Sequence, residues 1–92
     1  MAIGLYFNNE GFTLDKYHQA IKKLEAAGAA APKGRTYHFA FGDPNQVQVF
    51  DIWEDQATFE KFGETLIPIL ADLGVTIADP MSAPVHNIIV GK

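Results

Sequence analysis

The chain has 92 residues, of which 48% are hydrophobic and 20% charged, with 7 Lys and Arg against 11 Asp and Glu and no cysteine. This length predicts one domain spanning residues 1–92, and the apolar fraction is typical of a packed globular protein. The net charge of −4 disfavours a nucleic-acid partner, and the lack of cysteine excludes disulfides and thiolate metal sites. We expect a cytoplasmic protein.

The apolar runs are too short for membrane insertion. Residues 2–7 are apolar, but the polar stretch at residues 8–10 ends this run too soon for a secretory core. No run approaches the ~20 residues that a spanning helix needs. We therefore expect no membrane partner.

The first two elements are a strand and a helix. Residues 2–7 read as a buried strand, because they are short, apolar and followed by a polar loop. Thr13 can cap a helix that ends near Gly28, a residue type suited to the left-handed position after a helix. The apolar side of this helix repeats at helical spacing, with Leu14, Tyr17, Ile21 and Leu24.

The middle of the chain predicts a hairpin. Residues 35–42 and 47–53 have the composition of strands, and Asp43-Pro44 suits the first two positions of a type I turn. Each step along one strand moves one step back along the other, so the turn sets the register. The predicted pairs are Gly42 with Val47, Ala40 with Val49, Phe39 with Phe50, His38 with Asp51, and Tyr37 with Ile52.

This register divides the hairpin into two faces. One face is strongly aromatic and is predicted to support the helices; it holds Tyr37, Phe39, Phe41, Phe50 and Ile52. The other face carries Ala40, Val49 and Trp53 together with His38 and Asp51. If the helices cover only one face, the second would expose an apolar patch, and we therefore expect a homodimer.

A helix and a final strand complete the predicted elements. Glu54 or Asp55 can cap a helix that runs to Leu73-Gly74, and Pro68 predicts a kink or break near residues 66–67. Residues 75–84 read as a loop with a short extended piece at 75–77. The apolar run at residues 85–90 predicts the last strand.

The predicted order is β-α-β-β-α-β. With right-handed crossovers, this order gives an α+β, ferredoxin-like fold, a four-stranded antiparallel sheet with two helices on one face.

Residues 49–62 resemble a known signature. The segment Val-Phe-Asp-Ile-Trp-Glu-Asp-Gln-Ala-Thr-Phe-Glu-Lys-Phe looks like the third strand and second helix of the dimeric α+β barrel superfamily, which includes antibiotic-biosynthesis monooxygenase-like proteins. Trp53 and Phe59 match its aromatic positions, whereas many active members have a histidine where this chain has Phe62. The resemblance implies paired sheets in a dimer. It also implies activities that range from cofactor-free oxygenases and haem-degrading enzymes to isomerases, and it includes proteins without known activity.

The candidate site residues lie on the strands. His38 is a candidate base that Asp51 would orient; the alternative is a buried pair that satisfies its own hydrogen bonds. Trp53 could stack on a flat ligand or be plain core. Tyr6 and His86 lie on neighbouring predicted strands and are candidate ligand-binding residues, but the sequence does not show which face they occupy.

The sequence is consistent with two functions. One is a cofactor-independent oxygenase or isomerase acting on a small hydrophobic or aromatic metabolite. The alternative is a non-catalytic dimeric ligand-binding or accessory protein, which the residue at Phe62 favours. Three dispersed histidines do not predict a metal site, and no glycine-rich phosphate loop indicates a nucleotide cofactor, so we expect no cofactor.

Overall fold

The computed structural model describes residues 2–75, 79–89 and 91, and its elements follow the predicted order. They are β1 (Ile3–Asn8), α1 (Leu14–Ala26), β2 (Arg35–Asp43), β3 (Gln46–Trp53), α2 (Gln56–Asp72) and β4 (Met81–Pro84). The strands pair antiparallel in the order β2-β3-β1-β4. This is the ferredoxin-like α+β fold that the sequence predicted.

Both helices begin at the predicted type of cap. The Thr13 side chain accepts a hydrogen bond from the backbone N–H of Lys16 at 3.2 Å, and Asp55 accepts one from Thr58 at 2.8 Å. These bonds satisfy backbone donors that have no partner within the helix. The caps therefore fix where each helix starts.

Helix α2 continues through Pro68 to Asp72, so of the predicted kink or break the break is wrong. A proline inside a helix removes one hydrogen bond and costs about 3 kcal/mol. Apolar side chains on both sides of Pro68 pack into the core, including Phe62 before it and Leu70 after it. Each buried side chain of this size contributes about 1.5–3 kcal/mol, which outweighs the local cost.

The hairpin register is confirmed for all five predicted pairs, including His38 with Asp51. The structure adds a β-bulge: Tyr37 pairs with Ile52 and Arg35 pairs with Trp53, so Thr36 is an extra residue on β2. A bulge shifts the side-chain alternation by one residue. Arg35 therefore shares a face with His38 rather than with Tyr37.

The helices cover the face opposite to the one predicted. On β3, the buried positions Val47, Val49, Asp51 and Trp53 alternate with more exposed ones. These residues lie on the inner face, the sheet face under α1 and α2. The outer face carries the side chains that were expected to support the helices, together with Tyr6 from β1; the expected set is Tyr37, Phe39, Phe41, Phe50 and Ile52.

Near the turn of the hairpin, side-chain size gives a physical reason for this reversal. Ala40, Val47 and Val49 are small, so the helices can approach the sheet closely and pack on them. On the outer face, the larger rings pack along the sheet, with Phe39 stacked on Phe50 at a centroid distance of 5.6 Å. Phe39 and Phe41 stay 52% and 51% exposed, so the unpaired apolar face exists but is the aromatic one.

The last strand lies earlier in the chain than predicted. Met81–Pro84 pairs with β1, whereas residues 85–89 form no strand and Ile89 is 88% exposed. β4 is an edge strand, where a terminal proline is tolerated. The prediction of a loop up to residue 84 is therefore wrong. Residues 76, 77 and 90, which belonged to the predicted extended piece and strand, lie outside the described residues.

The core consists of two adjoining clusters between the sheet and the helices. One is built around Phe12, Ala20, Val47, Val49, Leu70 and Val75, and the other around Leu5, Leu24, Trp53 and Phe62. Among the described residues, neither helix has the length and apolar character required to cross a bilayer.

Candidate functional site

A series of hydrogen bonds connects four side chains on the inner side of the sheet. His38 Nδ1 lies 2.5 Å from Asp51 Oδ1, and the indole Nε1 of Trp53 donates to Asp51 Oδ2 at 3.3 Å. The Tyr17 hydroxyl lies 2.8 Å from His38 Nε2. An ionised carboxylate can only accept, so Nδ1 carries the imidazole hydrogen and Nε2 accepts from Tyr17.

The fold brings these side chains together from separate elements. The hairpin register places His38 directly opposite Asp51, and Trp53 follows two residues later on the same face of β3. Tyr17 comes from α1, and its ring lies parallel to that of His38, at an interplanar angle of 7°. Both Asp51 oxygens accept hydrogen bonds, which compensates the burial of this carboxylate.

The environment of Tyr17 keeps its hydroxyl protonated. Burial raises the pKa of Tyr17 above its ordinary value, the Arg35 charge opposes this change, and the Asp51 charge adds to it. Desolvation disfavours the phenolate because a charge is poorly solvated inside the protein. Tyr17 is therefore a hydrogen-bond donor at neutral pH.

An apolar cavity of about 60 Å³ adjoins this network, between the inner face and the helices. Five polar or charged residues line it: Asn9, Tyr17, Arg35, His38 and Asp51. The rest of the lining is aliphatic or aromatic. One water occupies about 30 Å³ of liquid, whereas a known cavity that binds benzene measures about 150 Å³. In this conformation the cavity holds only a small group, and an aromatic ligand requires it to enlarge.

Trp53 lies beside the cavity but is not part of its lining. Its side chain is 0% exposed and packs against Phe59 and Phe62, at centroid distances of 5.6 and 5.2 Å. The structure therefore gives Trp53 a supporting position, with its N–H bound to Asp51.

Tyr6 and His86 do not join His38 and Asp51. They line a separate groove of about 510 Å³ on the outer face, together with Phe50 and Met81. The Tyr6 hydroxyl donates to the Gln48 side-chain oxygen. The sheet itself separates this groove from the cavity.

Sequence reasoning missed Tyr17 and Arg35 as parts of the site. Tyr17 falls at a helical spacing that indicates core packing, and nothing local shows that its hydroxyl meets an imidazole. Arg35 faces the cavity only because of the bulge at Thr36. Among residues 2–75, 79–89 and 91, no three His, Cys, Asp or Glu side chains come together as metal ligands.

Comparisons with known proteins identify the fold. No protein-family model matches the sequence. No curated protein matches it either. Solved structures do: SnoaB, a cofactor-independent oxygenase from Streptomyces nogalater, superposes with a TM-score of 0.63 at 14% identity, covering 96% of this chain and 94% of SnoaB.

Two further solved structures have a similar fold. A proposed antibiotic biosynthesis monooxygenase from Deinococcus radiodurans gives a TM-score of 0.63 at 14% identity, covering 100% of this chain and 99% of that one. A structural genomics protein, YJCS, gives 0.68 at 14% identity, covering 94% and 100%. The chain therefore has the fold of the antibiotic biosynthesis monooxygenase-like proteins, as the resemblance at residues 49–62 predicted. At this level of identity the likeness extends to the fold alone.

Proposed function

We propose that this protein binds a small hydrophobic or aromatic metabolite in the cavity and transfers a proton there, as a cofactor-independent oxygenase or isomerase. The observation that carries the proposal is the Tyr17–His38–Asp51 series of hydrogen bonds beside an apolar cavity. A base in such a position needs a fixed tautomer and a proton path, and Asp51 and Tyr17 supply these. The similar fold of SnoaB, a cofactor-independent oxygenase, supports the proposal.

The proton path follows from the hydrogen bonds. Tyr17 occupies His38 Nε2, so the substrate C–H passes its proton to the Tyr17 oxygen while the Tyr17 proton moves to Nε2. The products are a substrate carbanion, a neutral tyrosine and an imidazolium held by Asp51. An isomerase returns the proton to another substrate atom. In an oxygenase the carbanion reduces dioxygen itself, so that CH₂ and O₂ give C=O and H₂O without a bound cofactor.

Hydrogen exchange tests the proposal for both reactions. A panel of aromatic ketones and hydroquinones with acidic C–H groups is incubated with enzyme in deuterated water, and deuterium uptake is measured by mass spectrometry. We expect wild type to accelerate exchange for at least one compound, and His38→Gln to slow it about 10²–10⁴-fold. His18→Gln is the matched control, because His18 is exposed on α1. Equal rates in wild type and His38→Gln would contradict the proposed base.

The alternative is a non-catalytic ligand-binding or accessory protein. Two observations favour it. Phe62 stands where many active members of the family that residues 49–62 resemble have a histidine. In addition, no buried side-chain polar atom of the described residues lacks a hydrogen-bond partner. A self-satisfied network can be purely structural. A small molecule that co-purifies with the protein, is identified by mass spectrometry and undergoes no exchange would support this function.

We also propose that the outer face forms a homodimer. Phe39, Phe41 and Tyr37 are exposed together, a grouping that soluble monomers rarely leave uncovered. Light scattering at micromolar concentration should give about twice the chain mass of 10.1 kDa. Phe39→Ser/Phe41→Ser should give monomers, whereas Ile67→Ser, which removes an exposed apolar side chain from α2, should not. A wild-type monomer would contradict the facing-sheet arrangement.

A further inference from the structure

Arg35 brings a positive charge to the cavity. The bulge at Thr36 places Arg35 on the inner face, where it lines the cavity together with Tyr17. Its guanidinium carbon lies 5.7 Å from the centroid of the Phe62 ring, another part of the lining. Bulges near functional sites commonly re-aim a side chain in this way.

The Arg35 charge has no carboxylate partner among the described residues. Their ion pairs are Lys23 with Asp72 and His38 with Asp51. The Asp51 oxygens accept from His38 and Trp53, and one Arg35 nitrogen donates to the Ala30 carbonyl at 3.1 Å. A guanidinium has five N–H donors, and a partly buried charge is unfavourable unless an opposite charge meets it. No buried side-chain polar atom of the described residues lacks a partner, so the remaining Arg35 donors are accessible and can bind an anionic group in the cavity.

We infer that Arg35 is the specificity-determining residue of the cavity and that the ligand carries a carboxylate that binds there. The inference rests on the proposed function, because it assigns the substrate class of the same cavity. A guanidinium binds two oxygens in parallel, which suits a carboxylate. The cavity volume of about 60 Å³ admits a group of this size.

The same position suits the proposed proton transfer. When a C–H next to this carboxylate loses its proton to Tyr17, the electron pair moves onto the carboxylate oxygens. A fixed positive charge at those oxygens stabilises the doubly charged enediolate more than the carboxylate. Burial raises the pKa of Tyr17 and the Arg35 charge lowers it, so the two groups interact electrostatically.

Anion binding tests the inference without turnover. Acetate is titrated into labelled protein, replacing chloride so that the ionic strength stays constant. Binding is followed by NMR at the His38 ring and at the backbone signals of Arg35 and Phe62. Acetamide is the neutral probe. We expect saturable shifts with acetate and none with acetamide. Arg35→Gln should weaken acetate binding at least about tenfold, and Arg35→Lys should weaken it less, since it keeps the charge but loses the paired donors. Lys33→Gln, which removes an exposed charge two residues away, should bind like wild type.

Equal binding of the two probes, no binding of acetate to wild type, or unchanged affinity in Arg35→Gln would overturn the inference. The acetate and acetamide comparison needs only wild type, so it stands even if Arg35→Gln does not fold. Deuterium exchange separates the two proposals. If deuterium exchange depends on His38 but acetate binding does not depend on Arg35, only the assigned substrate class is wrong. If acetate binding depends on Arg35 but exchange does not depend on His38, only the proposed proton transfer is wrong.

Discussion

The two faces of the sheet differ in a way that their hydrophobicity does not predict. The outer face carries most of the sheet's aromatic rings and remains open, whereas the inner face carries aliphatic side chains and Phe7 together with an aspartate, a histidine and the tryptophan, and takes both helices. The inner face can bury its polar groups because they bind one another. Close fit and satisfied hydrogen bonds, rather than total apolar area, decide which face a helix covers.

The largest effect should come from removing Trp53. Trp53→Ala empties a fully buried site and should lower the free energy of unfolding by about 3–5 kcal/mol. Phe39→Ala, on the half-exposed outer face, should lower it by about 1 kcal/mol when measured at a concentration at which the protein is monomeric. Urea unfolding measures both values. Similar losses would mean that the two faces contribute equally to the monomer.

A smaller effect is expected for Asp51→Asn. The amide nitrogen cannot accept a hydrogen bond, so either His38 or Trp53 loses its acceptor, at a cost of about 1–3 kcal/mol. Asp43→Asn is the matched control, because Asp43 is exposed and the amide oxygen can still accept from Asn45. Urea unfolding should show almost no change for the control. A neutral result for Asp51→Asn would show that the inner face does not depend on this network.

Tyr17→Phe should have a modest effect that depends on pH. Loss of the hydroxyl removes one hydrogen bond to His38, worth about 1 kcal/mol. Burial raises the pKa of Tyr17, so its stabilising contribution is present below the ordinary value of 10.0 and is lost as the pH rises through the folded-state pKa. A rise from about pH 8 to pH 11 should therefore destabilise wild type more than Tyr17→Phe, as measured by thermal unfolding.

Tyr37→Phe is the control, measured at a concentration at which the protein is monomeric, because Tyr37 lies on the outer face and is 42% exposed in the single chain. Tyr37→Phe should lose as much stability as wild type when the pH is raised. If Tyr17→Phe follows the same curve as well, the Tyr17 hydroxyl is not shielded by the inner face.

The smallest effect concerns Asp55, an exposed acid that contrasts with Asp51. The backbone N–H of Thr58, followed by the Thr58 side chain, lowers the pKa of Asp55 below its ordinary value of 3.8. The charge therefore contributes stability above that value, and the contribution disappears as the pH falls through the folded-state pKa. Wild type should melt slightly above Asp55→Asn near neutral pH, and the difference should vanish in acid. A constant difference would point to a cause other than this charge.

The hairpin could be predicted because its information is local. Asp43-Pro44 fixes a turn, and the turn fixes every pair up to Tyr37 with Ile52. The pairing of His38 with Asp51 follows from the same counting. The bulge at Thr36 could not be predicted, because it depends on how the start of β2 meets the end of β3. Arg35 was therefore absent from the predicted site.

The helix-covered face and the last strand depend on distant parts of the chain. Alternation divides β3 into two sets of side chains, but only the packing of α1 and α2 decides which set is buried. Residues 85–90 have the stronger strand composition, yet β4 is Met81–Pro84 because pairing with Ile3 to Tyr6 is set by where the chain returns after α2. Local propensity cannot report that position.

Trp53 also gives the protein a built-in optical signal. It is the only tryptophan of the chain, so intrinsic fluorescence excited at the indole band comes from one side chain. That side chain is shielded from water, and its nitrogen is bonded to the carboxylate that holds His38. Any ligand that moves this carboxylate changes the surroundings of the indole. If a ligand binds in the cavity as proposed, the emission of Trp53, which lies outside the cavity lining, should report its binding in unlabelled protein and in real time.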